Sequence, residues 1–271
     1  MSTILQQTSS AQHLAHHNLG DEQMQACCEQ FHRDGYLFLT DVLPPETAAQ
    51  LRVELDEALK LETRHGGAGS ELHMRMFETS PANLALFDMD PVVSLAEALL
   101  GQDCHVFANC SFRTPRAAGF LGWHQDDPPH YLVTHGEPPT NVRLPVLFFG
   151  ANYYLTDVEG IEHGPTQVIP GSHLFGKPCP KDMTGTPYEK KVVNCLGPAG
   201  SVILFNNQLW HRGAPNASDR VRYVAQVSYG RRIIGHKYFP FMNYTMPEYV
   251  YKDANPRLKR LLGFLPHGAY G

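Results

Sequence analysis

The chain has 271 residues, a formal net charge of -5 and a sequence pI near 6.3, which leaves no cationic footprint for nucleic acid or an anionic membrane surface. Its hydrophobic fraction of 42% is ample for one sizeable core, and no run approaches the roughly 18 apolar residues of a membrane span. Six cysteines, at 27, 28, 104, 110, 179 and 195, form no C-x-x-C pair and read as reduced thiols in a reducing compartment.

The first twenty residues carry no Lys or Arg and read as a flexible N-terminal arm over 1–20, without a secretory signal. A single domain is expected over 21–271, and a cytoplasmic location. Asp21 is placed to cap a helix through about Arg33, with Met24, Cys27, Cys28 and Phe31 at helical spacing and Gly35 as its stop. Tyr36-Leu37-Phe38-Leu39 reads as a short buried strand. Pro44-Pro45 opens a second helix whose apolar face is Ala48, Leu51, Leu55, Ala58 and Leu59. His65 to Ser70 is Gly-rich and is expected to be mobile. Asp90-Pro91 starts a third helix that Gly101 ends.

After Gly101 the periodicity changes. His105 to Phe112 is strand-like, and Pro128 to Pro139, rich in Pro and His, reads as a loop. Leu144 to Leu155 is a long apolar run, and Thr166 to Ile169 is short and extended before the turn Pro170-Gly171-Ser172. Ser201 to Phe205 and Val221 to Tyr229 read as strands, and a short helix follows near Arg257 to Leu262. Helices first, then many short strands, predicts a mainly β core with flanking helices.

The chemistry centres on Gly122-Trp123-His124-Gln125-Asp126-Asp127. In extended backbone, residues two apart share a face, so His124 and Asp126 can reach one metal ion together. His211, between a strand and the turn Gly213-Ala214-Pro215-Asn216, is the best candidate for a second imidazole. Two His and one carboxylate on one face leave open positions opposite, the arrangement of non-haem Fe(II) oxygenases. Arg220 and Arg222 lead into the next strand, and a buried cosubstrate carboxylate needs a bidentate cation of that kind. Arg222 shares a face with Val224 and Gln226, whereas Arg220 lies before the strand proper.

Three stretches together resemble the phytanoyl-CoA dioxygenase family of Fe(II)- and 2-oxoglutarate-dependent oxygenases: Trp123 to Asp126, Val168-Ile169-Pro170-Gly171-Ser172-His173, and His211 through Asn216 with the arginine after it. The resemblance runs from about Phe31 to Phe264. It implies a double-stranded β-helix, a jelly roll of the cupin type. It implies Fe(II) held by His124, Asp126 and His211, with 2-oxoglutarate as cosubstrate on Arg222; Arg220 is the fallback and Thr166 a second contact. His173 looks like part of a structural turn and not a ligand. The implied reaction consumes dioxygen, releases succinate and CO2, and hydroxylates or otherwise oxidises an unactivated C–H of a small-molecule substrate. Retention of the carboxylate at Asp126 argues against halogenation.

This chain departs from the family pattern at His163-Gly164-Pro165, where Asn-Gly-Pro is usual, and at Gly213, where some members place a Ser. Two other readings stand beside this one. A metal hydrolase on a cupin-like barrel would also suit two His and a carboxylate, but has no use for an arginine that holds a diacid. A non-catalytic binding protein on the same barrel predicts a lost ligand, and none is lost. The sequence leaves substrate and oligomeric state open, with mild weight against a CoA ester because no Lys/Arg cluster is present. The loop at 128–139, with His130, Tyr131 and His135, is a candidate substrate lid.

Overall fold

The computed structural model describes residues 12–13, 19–66, 69–119, 122–235 and 244–264. A short strand, Gln12–His13 (β1), pairs in parallel with Leu39 and Thr40, so part of the segment expected to be a loose arm is tied to the sheet. Residues 1–11 and 14–18 of that arm lie outside the described residues. Helix Asp21–Asp34 (α1) is capped by Gly20, with Asp21 and Glu22 in its first turn where carboxylates suit the helix dipole. Asp21 is thus the first helical residue and not the cap. Gly35 closes the helix in the left-handed region at φ 82°, its N–H donating to Phe31 O. Its missing Cβ also matters for packing, because a Cβ there would lie 2.5 Å from His173 Nδ1.

Strand Tyr36–Thr40 (β2) follows, then helix Pro45–Leu61 (α2), which buries the predicted face of Ala48, Leu51, Leu55, Ala58 and Leu59. Arg64–His65 (β3) and Glu71–Met74 (β4) pair on either side of the segment expected to be mobile, of which residues 67 and 68 lie outside the described residues. It is fastened at its base: Gly66 N–H donates to Ser70 O at 2.7 Å, and the Ser70 hydroxyl donates to Gly119 O at 2.6 Å. A short helix, Pro81–Ala85 (α3), precedes the third predicted helix, Val92–Leu100 (α4). The β region contains His105–Thr114 (β5), Phe148–Tyr154 (β6), Thr166–Val168 (β7), Val193–Cys195 (β8), Val202–Asn206 (β9), His211–Gly213 (β10) and Arg222–Gly230 (β11). Short helices Glu248–Tyr251 (α5) and Pro256–Leu261 (α6) end the described chain. The apolar run from Leu144 becomes strand only at Phe148, consistent with Pro145 having no N–H to give to a ladder.

Two sheets make the jelly roll. The larger has the order β1-β2-β9-β6-β11-β5-β4-β3 and the smaller β10-β7-β8. Side-chain alternation divides each strand of the larger sheet between two environments. Leu37 and Leu39 of β2, Val202 and Leu204 of β9, and Ala225 and Val227 of β11 pack outward under the helices with Phe31, Leu51 and Leu95. Tyr36, Phe38, Ile203, Phe205 and Val224 point inward to meet Val168, Val193 and Cys195 of the smaller sheet. Each fully buried Phe or Leu contributes roughly 1.5–3 kcal/mol to that arrangement. Among the described residues, no helix is long and apolar enough to cross a membrane.

Candidate metal centre

His124 sits in a single bridge and not in a strand, opposite His211 at the start of β10. The two backbones exchange a pair of hydrogen bonds, His124 N–H to His211 O at 3.0 Å and His211 N–H to His124 O at 2.9 Å. That pairing sets the imidazole rings side by side, with centroids 4.3 Å apart. Asp126 is brought to them by its own N–H, which donates to Asn207 O at 2.9 Å. Among the described residues these three alone form a cluster with metal-ligand geometry, their donor atoms all lying within 4.8 Å of one another.

The tautomers are fixed from behind. His124 Nδ1 lies 2.8 Å from Gly122 O and His211 Nδ1 lies 2.8 Å from Leu209 O. A carbonyl only accepts, so both Nδ1 atoms carry the proton and both Nε2 atoms present a lone pair. Those Nε2 atoms face Asp126 Oδ1, at 3.8 Å from His124 and 3.5 Å from His211. This is the outer-sphere pattern of metal-bound histidine, in which the second ring nitrogen is held by a backbone carbonyl. Burial, and then the neighbouring His211, push the His124 pKa down, which keeps its ring neutral and able to bind a cation.

A tryptophan precedes each imidazole. Trp123 and Trp210 are 3% and 1% exposed and belong to one apolar cluster with Ile169 and Met183. With one ring pinned on that side, alternation turns the next side chain to the other side, toward the barrel interior. There His211 meets Phe205, at 4.5 Å between ring centroids.

Of the two candidate arginines, Arg220 is exposed and paired with Glu159 at 3.2 Å. Arg222 is 7% exposed, and its Nε and Nη1 have no hydrogen-bond partner. It opens β11 on the face that carries Val224, which packs in the same interior cluster as Phe205. Burial pushes its pKa down and only the neighbouring Tyr154 opposes that. An unpaired guanidinium in an apolar interior is costly unless an anion joins it. Thr166 is 5% exposed, and its N–H donates to the Tyr154 hydroxyl at 3.1 Å, while that hydroxyl donates to Cys195 O at 3.0 Å. Tyr154 thus joins β6, β7 and β8 beside Arg222. The donor set fits a divalent cation together with a ligand that brings a carboxylate to Arg222.

Residues 31–224 match the family model described as phytanoyl-CoA dioxygenase (PhyH). The chain belongs to the phytanoyl-CoA dioxygenase family. It is accordingly a non-haem Fe(II)- and 2-oxoglutarate-dependent dioxygenase. Dioxygenase trt7 of Aspergillus terreus is 22% identical over 252 residues, which cover 87% of this chain and 82% of that protein. An ectoine dioxygenase of Nocardia farcinica is 25% identical over 219 residues, 69% of this chain and 70% of the relative. The crystal structure of HygX from Streptomyces hygroscopicus, with nickel, 2-oxoglutarate and hygromycin B bound, superposes with a TM-score of 0.64 at 18% identity, covering 80% of this chain and 90% of HygX. That likeness is one of fold, and it agrees with the jelly roll described above.

The family turn at Gly164 has a steric reason in this dioxygenase. Its φ is 69°, and a Cβ there would lie 2.8 Å from Ala214 O, so only Gly fits beside the Pro215-Asn216 turn. His173 is 8% exposed, and its Nε2 donates to His32 O at 3.1 Å, in keeping with a structural turn and not a ligand. The candidate lid divides in two. Its first half is fastened: His130 N–H donates to Gln208 Oε1 at 2.9 Å, the Tyr131 hydroxyl donates to Leu174 O, and Val133 N–H donates to Gly176 O at 2.8 Å. No hydrogen bond is found among the described residues from 134 to 145. Sequence reasoning missed Tyr154, Asn207 and Gln208 as supports of the site. Their only sequence signal was position, in the strand after the loop and just ahead of His211.

Proposed function

We propose that His124, Asp126 and His211 hold the Fe(II) of this dioxygenase, that Arg222 holds the far carboxylate of 2-oxoglutarate, and that Thr166 lines the same end of the cosubstrate site. The observation that carries the reading is the guanidinium of Arg222, buried with two unpaired nitrogens on the strand face of Val224, whose cluster includes the Phe205 that meets His211. A hydrolase has no use for that cation, and a plain binding protein has no use for the triad. When bound, the iron supplies activation of dioxygen coupled to decarboxylation of 2-oxoglutarate, with succinate and CO2 as products.

The protein's own groups do the rest. The Gly122 and Leu209 carbonyls keep both imidazoles in the binding tautomer. The Arg222 fork orients a dicarboxylate by two parallel hydrogen bonds, which a lysine would not do. Phe205, Val224 and Tyr154 give that dicarboxylate an apolar wall that excludes water. The substrate is a small molecule oxidised at an unactivated C–H; the relatives named above for ectoine and shown with hygromycin B support a free small molecule over a macromolecule. Six free cysteines support a cytoplasmic location, and one core cluster running from Cys27 to Leu262 supports a single domain over 21–271. The test is aerobic incubation with Fe(II), 2-oxoglutarate and a metabolite panel, reading succinate together with a mass gain of one oxygen. Succinate formation that survives loss of His211 would overturn the assignment.

A further inference from the structure

Asp126 is the least enclosed of the three metal-facing side chains, 34% exposed against 20% for His124 and 7% for His211. Each imidazole is gripped from behind by a carbonyl. The Asp126 carboxylate takes part in no hydrogen bond among the described residues. Its aim is therefore set through the backbone on either side of it. On one side its own N–H donates to Asn207 O at 2.9 Å.

The chain that follows cannot hold itself. Pro128 and Pro129 have no N–H, so the carbonyls of Asp127 and Pro128 need donors from elsewhere. Gln208 supplies them. Its Nε2 donates to Asp127 O at 3.3 Å and to Pro128 O at 3.2 Å, while its Oε1 accepts the His130 N–H at 2.9 Å. A planar amide that donates and accepts at once suits that task, and neither a carboxylate nor an ammonium does. Gln125 completes the set, donating through Nε2 to Asp127 O at 2.9 Å and to Gln208 Oε1 at 3.3 Å, and accepting the Cys179 N–H at 3.1 Å.

Gln208 is itself anchored. Its N–H donates to Asn206 Oδ1 at 2.9 Å, the Leu209 N–H donates to Asn206 O at 2.9 Å, and the Asn206 N–H donates to Gly35 O at 2.8 Å. The turn that leads from β9 into His211 thus also grips the loop that carries His124 and Asp126. We propose that Gln208 is a positioning residue for Asp126, whose amide holds the backbone after that residue so that the carboxylate stays aimed at the two imidazoles. The inference rests on the reading of His124, Asp126 and His211 as the metal ligands.

The test uses the full-length protein titrated with Co(II), followed by calorimetry and by the visible absorption of the bound ion. Gln208→Leu keeps similar bulk and removes every bond of the amide. Gln208→Asn keeps the amide and draws it back from the loop. Each should raise the Co(II) Kd about tenfold, the low end for loss of a group that orients a metal ligand, and move the absorption band toward that of Asp126→Ala. In an Asp126→Ala background, Gln208→Leu should change the Kd by less than about twofold, because the residue it positions is gone. An equal rise in both backgrounds would mark a general structural role and overturn the proposal. If Asp126→Ala weakens Co(II) binding while both Gln208 variants bind as wild type does, the positioning role alone falls. If Asp126→Ala leaves affinity and spectrum unchanged, the reading of the metal centre falls and the proposal falls with it.

Discussion

Replacing Arg222 by Met should act in opposite directions on stability and on cosubstrate use. The side chain is 7% exposed with Nε and Nη1 unpaired, so in the free protein its charge is held without compensation. Methionine fills similar space and removes that charge, and such replacements of buried ions are commonly neutral or stabilising. The ligand-free variant should therefore unfold at the wild-type temperature or above it. With 2-oxoglutarate the order reverses. Two charge-assisted hydrogen bonds at the low end of about 1.5 kcal/mol each come to about 3 kcal/mol, a KM increase of roughly 150-fold. Thermal unfolding gives a second reading, since ligand at about 100 times the wild-type Kd stabilises the wild type by about 2.7 kcal/mol and the variant by only about 0.3 kcal/mol. Arg220→Gln is the control, because Arg220 is exposed and already paired with Glu159; its KM should stay within about twofold. A KM for Arg222→Met within about threefold of wild type would refute the reasoning. So would ligand-free unfolding several degrees below wild type, because Arg222 would then be a structural residue.

The remaining predictions concern the triad, one buried histidine and the loop. His124→Ala, Asp126→Ala and His211→Ala should each abolish turnover and lower bound iron, measured by metal analysis after desalting, because three ligands become two; full activity in any one would remove that residue from the set. Burial lowers the His173 pKa to about 4 in the folded state, against about 6.5 unfolded, so the unfolded chain binds more protons between those values. Stability should accordingly fall as pH drops from about 6.5 toward about 4, by roughly 3 kcal/mol in all, and His173→Gln should flatten that part of a urea-midpoint profile. Exchanging 134–139 for a Gly/Ser linker should leave unfolding temperature, Fe(II) binding and 2-oxoglutarate binding nearly intact while oxidation of the primary substrate falls; exchanging 128–133 should lower the unfolding temperature too, because that half carries the bonds to Gln208, Leu174 and Gly176.

What the sequence made legible is what depends on short spacing. His124 and Asp126 could be paired from their separation alone, since extended backbone returns every second side chain to one face; a single bridge to His211 suffices for that, without a strand. Alternation alone does not separate Arg222 from Arg220, which share one phase; Arg220 was set apart by lying before the strand, and the structure buries Arg222 at the start of β11 and leaves Arg220 exposed beside Glu159. The α1 and α2 faces were legible from the helical period, and the jelly roll from the resemblance. The supports of the site were hidden because they come from register between strands far apart in the chain. Thr166 reaches Tyr154 only through the stacking of β7 on β6, and Asp126 reaches Asn207 only because the turn after β9 lies against the metal loop. Trp123 and Trp210 each directly precede a candidate ligand in the chain. That they share one cluster, and so fix both imidazoles by pinning the residue before each, requires knowing that the bridge brings them together. The same logic explains the hairpin at β3 and β4, where a Gly-rich stretch read as mobile is fastened by the buried Ser70 hydroxyl to a carbonyl at Gly119. Gly69 takes the left-handed φ of 83° there, and the partner for Ser70 is supplied by a distant segment. A local pattern names the groups that can do chemistry, while the geometry in which they do it is set by contacts that the pattern does not contain.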